Sequence, residues 1–470
     1  MRQKIVILLP VTALFFVSLL YLKTLAPTVL SGDGARFQLV ALRLGISHPP
    51  GYPLYTLIAH LFSSIPLANP AFRVNLFSAV CGVLSLVSVY LITRKETGDV
   101  LIASLTCFVL AFSQMFWFLS IRAEVYTFYL LMLTIAIYFS LNLLSEFDTK
   151  TFWLSALFWG FYTSGRISAL PSAFLFFAIV AIKTKPRLAT LVSGAPFFFA
   201  PFLLSFFTVV IFDYFKIGYN YIDYYNQEFV VLPAADSLGH LLRRAKWILM
   251  AEQFRALLKF DVSVLVEGGT IFIRSLVKSN LTFLSILLSG LGFWHVLRGN
   301  ISKALLLVGV MINNGAYFLF SLAGDRLTFL LPTFMILALL FAFGVRRLMD
   351  SLPAKIRPLM LTGFLCIPLF LVLSNYRGVD RSTLYGHEVL GNRVLLSAPP
   401  FSTVFVPWTF STTLLFQQQV TGKRPDLTIV PMHEQNIQPF IANRKGPFYF
   451  LDLKEESWRE VTQGGDNESL

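Results

Sequence analysis

Charge is scarce in this sequence: Asp, Glu, Lys and Arg make up 13% of its 470 residues, about half their share in an average soluble domain. With 56% of residues hydrophobic and 48 phenylalanines, that scarcity excludes a water-soluble globule, a disordered chain and a coiled coil. The apolar surplus must face lipid. Cysteine is nearly absent. Cys81, Cys107 and Cys366 all lie inside apolar runs, which excludes a disulfide scaffold and offers no redox or metal-ligand spacing. Also lacking are a cluster of His and carboxylates to hold a metal, a glycine-rich loop to cradle a nucleotide, and a basic run with interleaved aromatics to grip nucleic acid. The net charge of +13 therefore speaks for membrane topology and anionic-lipid contact.

The apolar runs read as about eleven spans: Ile5 to Leu22, Val74 to Ile92, Leu101 to Ser120, Thr127 to Leu144, Phe152 to Ser164, Ile167 to Ile182, Leu188 to Phe212, Leu281 to Val296, Ala304 to Phe320, Leu327 to Val345 and Pro358 to Ser374. Arg2 and Lys4 before the first run also fit a secretory leader, but the run is long for one and no small-residue cleavage site follows. It is read as a span with a cytoplasmic N-terminus. Basic clusters at Arg94/Lys95, Lys183/Lys185/Arg187, Arg298/Lys303 and Arg346/Arg347 then fall on the cytoplasmic side, while the opposite turns hold the single cations Arg122, Arg166 and Arg326. This parity places the C-terminal segment on the extracytoplasmic side, and the membrane expected is a bacterial inner or cell membrane.

The expected architecture is an all-α polytopic membrane domain over residues 1–374, with outer loops 23–72 and 213–280, and a small extracytoplasmic α/β domain over 375–470. Strand-like runs at Val404 to Val406, Leu427 to Pro431 and Phe448 to Leu453 alternate with helix-like ones. In the second loop, tyrosines from Tyr214 to Tyr225 suit the bilayer interface, and Leu238 to Leu249 reads as an amphipathic helix lying on the membrane, its arginines towards headgroups. Asn313/Asn314 inside a span reads as helix-to-helix glue. Asn467-Glu468-Ser469 spells a glycosylation sequon.

Chemistry is expected on the outer face. Asp33, between Gly32 and Gly34, precedes a helix whose Phe37, Val40, Ala41 and Leu44 recur at helical spacing. It can cap that helix, or accept a proton from a hydroxyl at the lipid interface, and one carboxylate can do both. His48, before two prolines, closes a turn or joins the site.

The string Ser31-Gly32-Asp33, an amphipathic stretch, His48-Pro49-Pro50-Gly51-Tyr52-Pro53-Leu54-Tyr55, then Phe72-Arg73-Val74-Asn75-Leu76 resembles the N-terminal signature of a protein O-mannosyltransferase family of the GT-C glycosyltransferase superfamily. Ala123-Glu124-Val125-Tyr126-Thr127, Asp325-Arg326 before Phe329-Leu330-Leu331-Pro332, and Arg424-Pro425-Asp426 resemble further parts of it. The resemblance implies an inverting transferase that moves a sugar, with mannose foremost, from a polyprenyl-phosphate donor to an acceptor hydroxyl, Ser or Thr of a protein, without metal or cofactor. Asp33 would be the catalytic base. Arg73 and Arg326 would hold the donor phosphate, since a guanidinium fork matches phosphate oxygens. His48, Glu124 and Tyr126 would meet sugar or acceptor. Three departures stand out: Arg36 where relatives carry an acid, Ser164-Gly165-Arg166 for Gly-Asn-His, and Pro407-Trp408 for Gly-Asp. The alternatives are the same chemistry on a glycolipid or cell-wall acceptor, and a non-catalytic or transporting protein that binds polyprenyl lipid.

Overall fold

The structure is a computed structural model that describes residues 2–276 and 280–463. The Asn467–Ser469 sequon and the side chains of Arg2 and Lys4 lie outside the described residues. The chain is an integral membrane protein, helical over most of its length. Each of the eleven apolar runs forms helix, but among the described residues seven helices are long and apolar enough to cross a bilayer, from Pro70–Thr97 to Arg357–Val379, and an eighth if one bent pair counts as a span. That pair, Val100–Ala111 and Gln114–Ser120, turns by 73° at Phe112 and Ser113. The break is anchored by Asn375, whose Nδ2 donates to the Phe112 carbonyl at 2.9 Å. Pro10–Thr24 and Phe283–Gly299 are apolar but shorter.

Helices pack where small residues let backbones meet. A Cβ on Gly292 would lie 1.8 Å from the Leu340 carbonyl oxygen, and one on Gly344 would lie 1.9 Å from that of Leu288. Phe283–Gly299 and Leu331–Ser351 therefore cross in direct backbone contact. The polar tips of buried aromatics find partners: Trp117 Nε1 donates to Thr24 Oγ1 at 3.0 Å and Trp159 Nε1 to Ser140 Oγ at 3.1 Å. Asn314 accepts from Tyr162 Oη at 3.3 Å and Asn313 donates to the Ser168 carbonyl at 3.0 Å.

One end of the bundle is basic. Lys303 pairs with Glu96 at 2.8 Å, Lys95 donates to Asn142 at 2.6 Å and Lys183 to Asn300 at 3.3 Å. The opposite helix ends carry the outer loops. There β1 (Gly45–Ile46) pairs in parallel with β2 (Tyr219–Asn220), joining the first loop to the second. Gly45 is required at that junction: its φ is +132°, and a Cβ would meet the Tyr219 carbonyl oxygen at 2.1 Å.

The C-terminal domain is a four-stranded sheet in the order β4 (Thr428–Pro431), β3 (Thr403–Val406), β5 (Phe448–Asp452), β6 (Ser457–Glu460). β3 is parallel to β4 and β5, and β6 is antiparallel to β5. Trp408–Thr421, the crossover helix between β3 and β4, lies against the loop helix Gly32–Arg43. Thr412 and Thr413 donate to the carbonyls of Gly32 and Leu30 at 2.9 and 2.8 Å.

Two expectations for the second loop change. Leu238–Leu249 does not lie free on the membrane: Leu241, Arg244, Ala245, Trp247 and Ile248 are buried. Arg244 is 1% exposed and bonds Asp213 at 2.6 and 2.8 Å, so the buried carboxylate draws the helix inwards. Tyr219 and Tyr221 are likewise buried rather than part of an interfacial belt.

Candidate active site

Between the bundle, both outer loops and the C-terminal domain lies a cavity of about 640 Å³. Asp33, His48 and Tyr126 line it, together with Arg36, Tyr52, Tyr129, Arg166, Tyr221, Asp325, Trp408 and His433, and a wall from Met250 to Leu258.

Asp33 sits in the first turn of Gly32–Arg43, inside the helix and not at its cap, which is Ser31. The backbone N–H groups of that turn favour a carboxylate. The helix is fixed by a buried amide pair: Gln38 accepts from Leu30 N at 3.0 Å and donates to Asn75 Oδ1 at 2.9 Å, and Asn75 donates to the Ala26 carbonyl at 2.8 Å. Asn75 Oδ1 also takes the Ala123 N–H at 2.9 Å. These bonds tie the helix to the Pro70–Thr97 span and to the next outer turn. The Asp33 side chain stays 45% exposed, into the cavity.

Three residues along the helix face, Arg36 Nη1 donates to Asp33 Oδ1 at 2.9 Å, and its guanidinium stands 5.0 Å over the Tyr221 ring. The buried Arg36 Nε has no partner. His48 Nδ1 is 3.7 Å from the same Asp33 oxygen. Burial would raise the Asp33 pKa, but His48 and the guanidiniums of Arg36 and Arg122 outweigh it and hold the carboxyl below its ordinary value. It is ionised at neutral pH. For His48, burial dominates over the pull of Asp33 and lowers the imidazole to about 4, so it is neutral at pH 7 and acts by hydrogen bonding.

The other pole is built on span ends. Gly165 leaves room for the Tyr129 ring, whose Cζ would lie 1.9 Å from a Cβ there, and the following Arg166 projects between the rings of Tyr126 and Phe329 at 5.5 and 5.7 Å. Among the described residues Arg166 makes no ion pair. Tyr126 Oη donates to Asp325 Oδ2 at 2.9 Å, and burial pushes the Asp325 carboxyl above its ordinary value. Tyr52, with a left-handed φ of 49°, packs between the poles, 5.4 Å from His48 and 6.0 Å from Tyr129.

Three residues singled out in the sequence do not line the cavity. Arg73 donates to the carbonyls of Ser63, Leu67 and Ala68 at 3.2, 2.8 and 3.2 Å, closing the turn before its own helix. Arg326 is buried on the Ser321 carbonyl at 2.8 Å and on Glu267. Its neighbour Asp325 faces the cavity instead. Glu124 pairs with Arg122 at 3.0 Å, its backbone is held by Ser78, and burial pushes its carboxyl up to about 8. Arg36 and Arg166 were visible only as departures, although a spacing of three on one helix already puts residue 36 beside residue 33.

Residues 33–189 match the family described as the protein O-mannosyl-transferase TMEM260 N-terminal domain. The chain is 30% identical over 119 residues to protein O-mannosyl-transferase tmem260 of Dictyostelium discoideum, and 36% identical over 116 residues to protein O-mannosyl-transferase TMEM260 of Mus musculus. Each alignment covers 24% of this chain, and they span only 14% and 16% of those relatives' own length. In fold the chain is similar to ArnT from Cupriavidus metallidurans: TM-score 0.58 at 12% identity for the apo state, and 0.55 at 13% for the crystal structure bound to undecaprenyl phosphate, each covering 94% of this chain and 92% of the other. The resemblance to protein O-mannosyltransferases is thus borne out in sequence over the N-terminal third, and over nearly the whole chain the fold is similar to that of ArnT.

Proposed function

We propose that this GT-C-fold chain is an inverting glycosyltransferase that moves mannose from a polyprenyl-phosphate donor to a Ser or Thr hydroxyl of a protein at the extracytoplasmic face. The observation that carries the reading is the half-exposed Asp33 carboxylate, fixed in the cavity by Arg36 at 2.9 Å. The basic end of the bundle is opposite the cavity, and basic span ends belong to the cytoplasm. This supports an extracytoplasmic cavity and C-terminal domain. Tyr317 and Phe329, cavity walls drawn from membrane helices, give a prenyl chain apolar surface to follow.

In the reaction Asp33 accepts the hydroxyl proton as the acceptor oxygen attacks the anomeric carbon. The bond from that carbon to the phosphate oxygen breaks, and the electron pair leaves with the phosphate. Its charge meets the guanidiniums of Arg166 and Arg36, which both line the cavity. A guanidinium held in place beside such a leaving group stabilises its developing charge. One displacement inverts the anomeric centre. The lipid-linked sugar is a co-substrate, and these residues carry the step without another group.

The test is transfer by the purified full chain in proteoliposomes from polyprenyl-phosphate mannose to Thr-containing peptides, with glycan acceptors in parallel. Asp33→Asn should lower turnover by about a hundredfold to ten-thousandfold, the usual contribution of a general base, and Arg166→Gln should raise the donor KM. Equal turnover by Asp33→Asn and wild type would remove the proposed base. Transfer to glycans alone would overturn the protein acceptor.

A further inference from the structure

Glu228, near the end of the second-loop helix Tyr221–Phe229, is fully buried at its side chain. Its two oxygens take four donors, all from the C-terminal domain. Trp408 Nε1 reaches Oε2 at 2.5 Å. Oε1 accepts the His433 backbone N–H at 2.9 Å, His433 Nδ1 at 2.7 Å and Asn436 Nδ2 at 2.6 Å. One carboxylate thus fixes two cavity-lining aromatic side chains of the C-terminal domain. The indole lies 5.6 Å from the Tyr221 ring, which in turn carries the Arg36 guanidinium. Phe229 is 6.2 Å from the His433 ring, which is 57% exposed. A continuous row runs from Trp408 through Tyr221 and Arg36 to Asp33.

Trp408, His433 and Tyr221 have no part in the chemistry already assigned, and Arg166 stands at the other pole. We infer that the Trp408–His433 surface pinned by Glu228 is the acceptor subsite, and that it holds a polypeptide residue flanking the target Ser or Thr. The inference rests on the transferase reading above. A polypeptide fits better than a glycan because Glu228 is saturated by its own protein donors. What remains for a ligand is aromatic faces and one imidazole edge, suited to an apolar side chain and a backbone group. It is not the array of free carboxylates and amides that a row of sugar hydroxyls needs.

The experiment uses the full chain carrying Asp33→Asn in nanodiscs, so that binding is read without turnover. The probe is a pool of fluorescein-labelled peptides with one fixed threonine and randomised neighbours, with a mannan oligosaccharide as the competing class. The chain should retain peptides with an apolar residue within two positions of the threonine. Adding Trp408→Ala should weaken the selected peptide about tenfold, as for loss of an aromatic anchor, and Trp408→Phe should restore part of it. His433→Ala, on an exposed side chain, gives the same reading if Trp408→Ala does not fold. In the active chain, Trp408→Ala should raise the peptide KM and leave the donor KM within about twofold. No peptide retained, equal retention by Trp408→Ala and its parent, a matching rise in donor KM, or loss of oligosaccharide binding would each overturn the subsite. Peptide transfer by wild type that Trp408→Ala leaves unchanged would sink the subsite alone, whereas absence of transfer to any acceptor would sink the transferase reading itself.

Discussion

Replacing Arg36 by Gln should move the acid limb of the pH–rate profile to higher pH. Arg36 Nη1 and Asp33 Oδ1 are 2.9 Å apart, and the Asp33 side chain is 45% exposed, so the dielectric of water is the safer one to use. Two unit charges at that distance then attract by about 1.4 kcal/mol, which is about one pKa unit. Asp33 is held below its ordinary value in the native protein, and a base works only when deprotonated, so activity is lost as pH falls through its pKa. Without the guanidinium the carboxyl protonates earlier, and the fall in kcat/KM begins about one pH unit higher. Loss of the phosphate donor on Arg36 also lowers the plateau, but the position of the limb is independent of its height. The assay is initial-rate transfer in proteoliposomes between about pH 4 and pH 8, run at low and at high ionic strength. Salt should shrink the shift, because an exposed pair is screened. A limb that stays in place, or moves to lower pH, would refute the claim that Arg36 tunes Asp33.

Two further outcomes concern stability. Arg244→Met should destabilise the folded chain by about 3–5 kcal/mol, because it leaves the buried Asp213 carboxylate without its guanidinium; thermal unfolding in detergent measures this. Glu124 has a native pKa of about 8, above its ordinary 4.5, so the folded state holds a proton that the unfolded state releases, and stability falls as pH rises between those values. Melting temperatures across that range should therefore drop more for wild type than for Glu124→Gln, and parallel curves would contradict the assignment.

Much of the fold was legible because lipid imposes it: runs long and apolar enough to span must be helices, and all eleven runs are helical. Their number as spans was less so. A hydropathy window cannot see a 73° turn at Phe112–Ser113, which depends on Asn375, a residue more than two hundred and fifty positions away. Asp33, His48 and Tyr126 converge because they are fixed by local motifs at helix starts and turns. Arg73 and Arg326 looked equally suited to phosphate, since an arginine at a span end carries the same signal whether it faces a cavity or backbone carbonyls. Trp408 was visible only as a departure and His433 gave no signal: the crossover between β3 and β4, with Glu228 as its clasp, brings them to the cavity.

The measurement that bears most directly on the mechanism is a structure of the full chain with a non-hydrolysable polyprenyl-phosphate sugar. The phosphate should lie within hydrogen-bonding reach of the Arg166 and Arg36 guanidiniums, with the anomeric carbon facing Asp33 across a space fit for one hydroxyl. A phosphate seated on Arg73 or Arg326, or a sugar turned away from Asp33, would contradict the account.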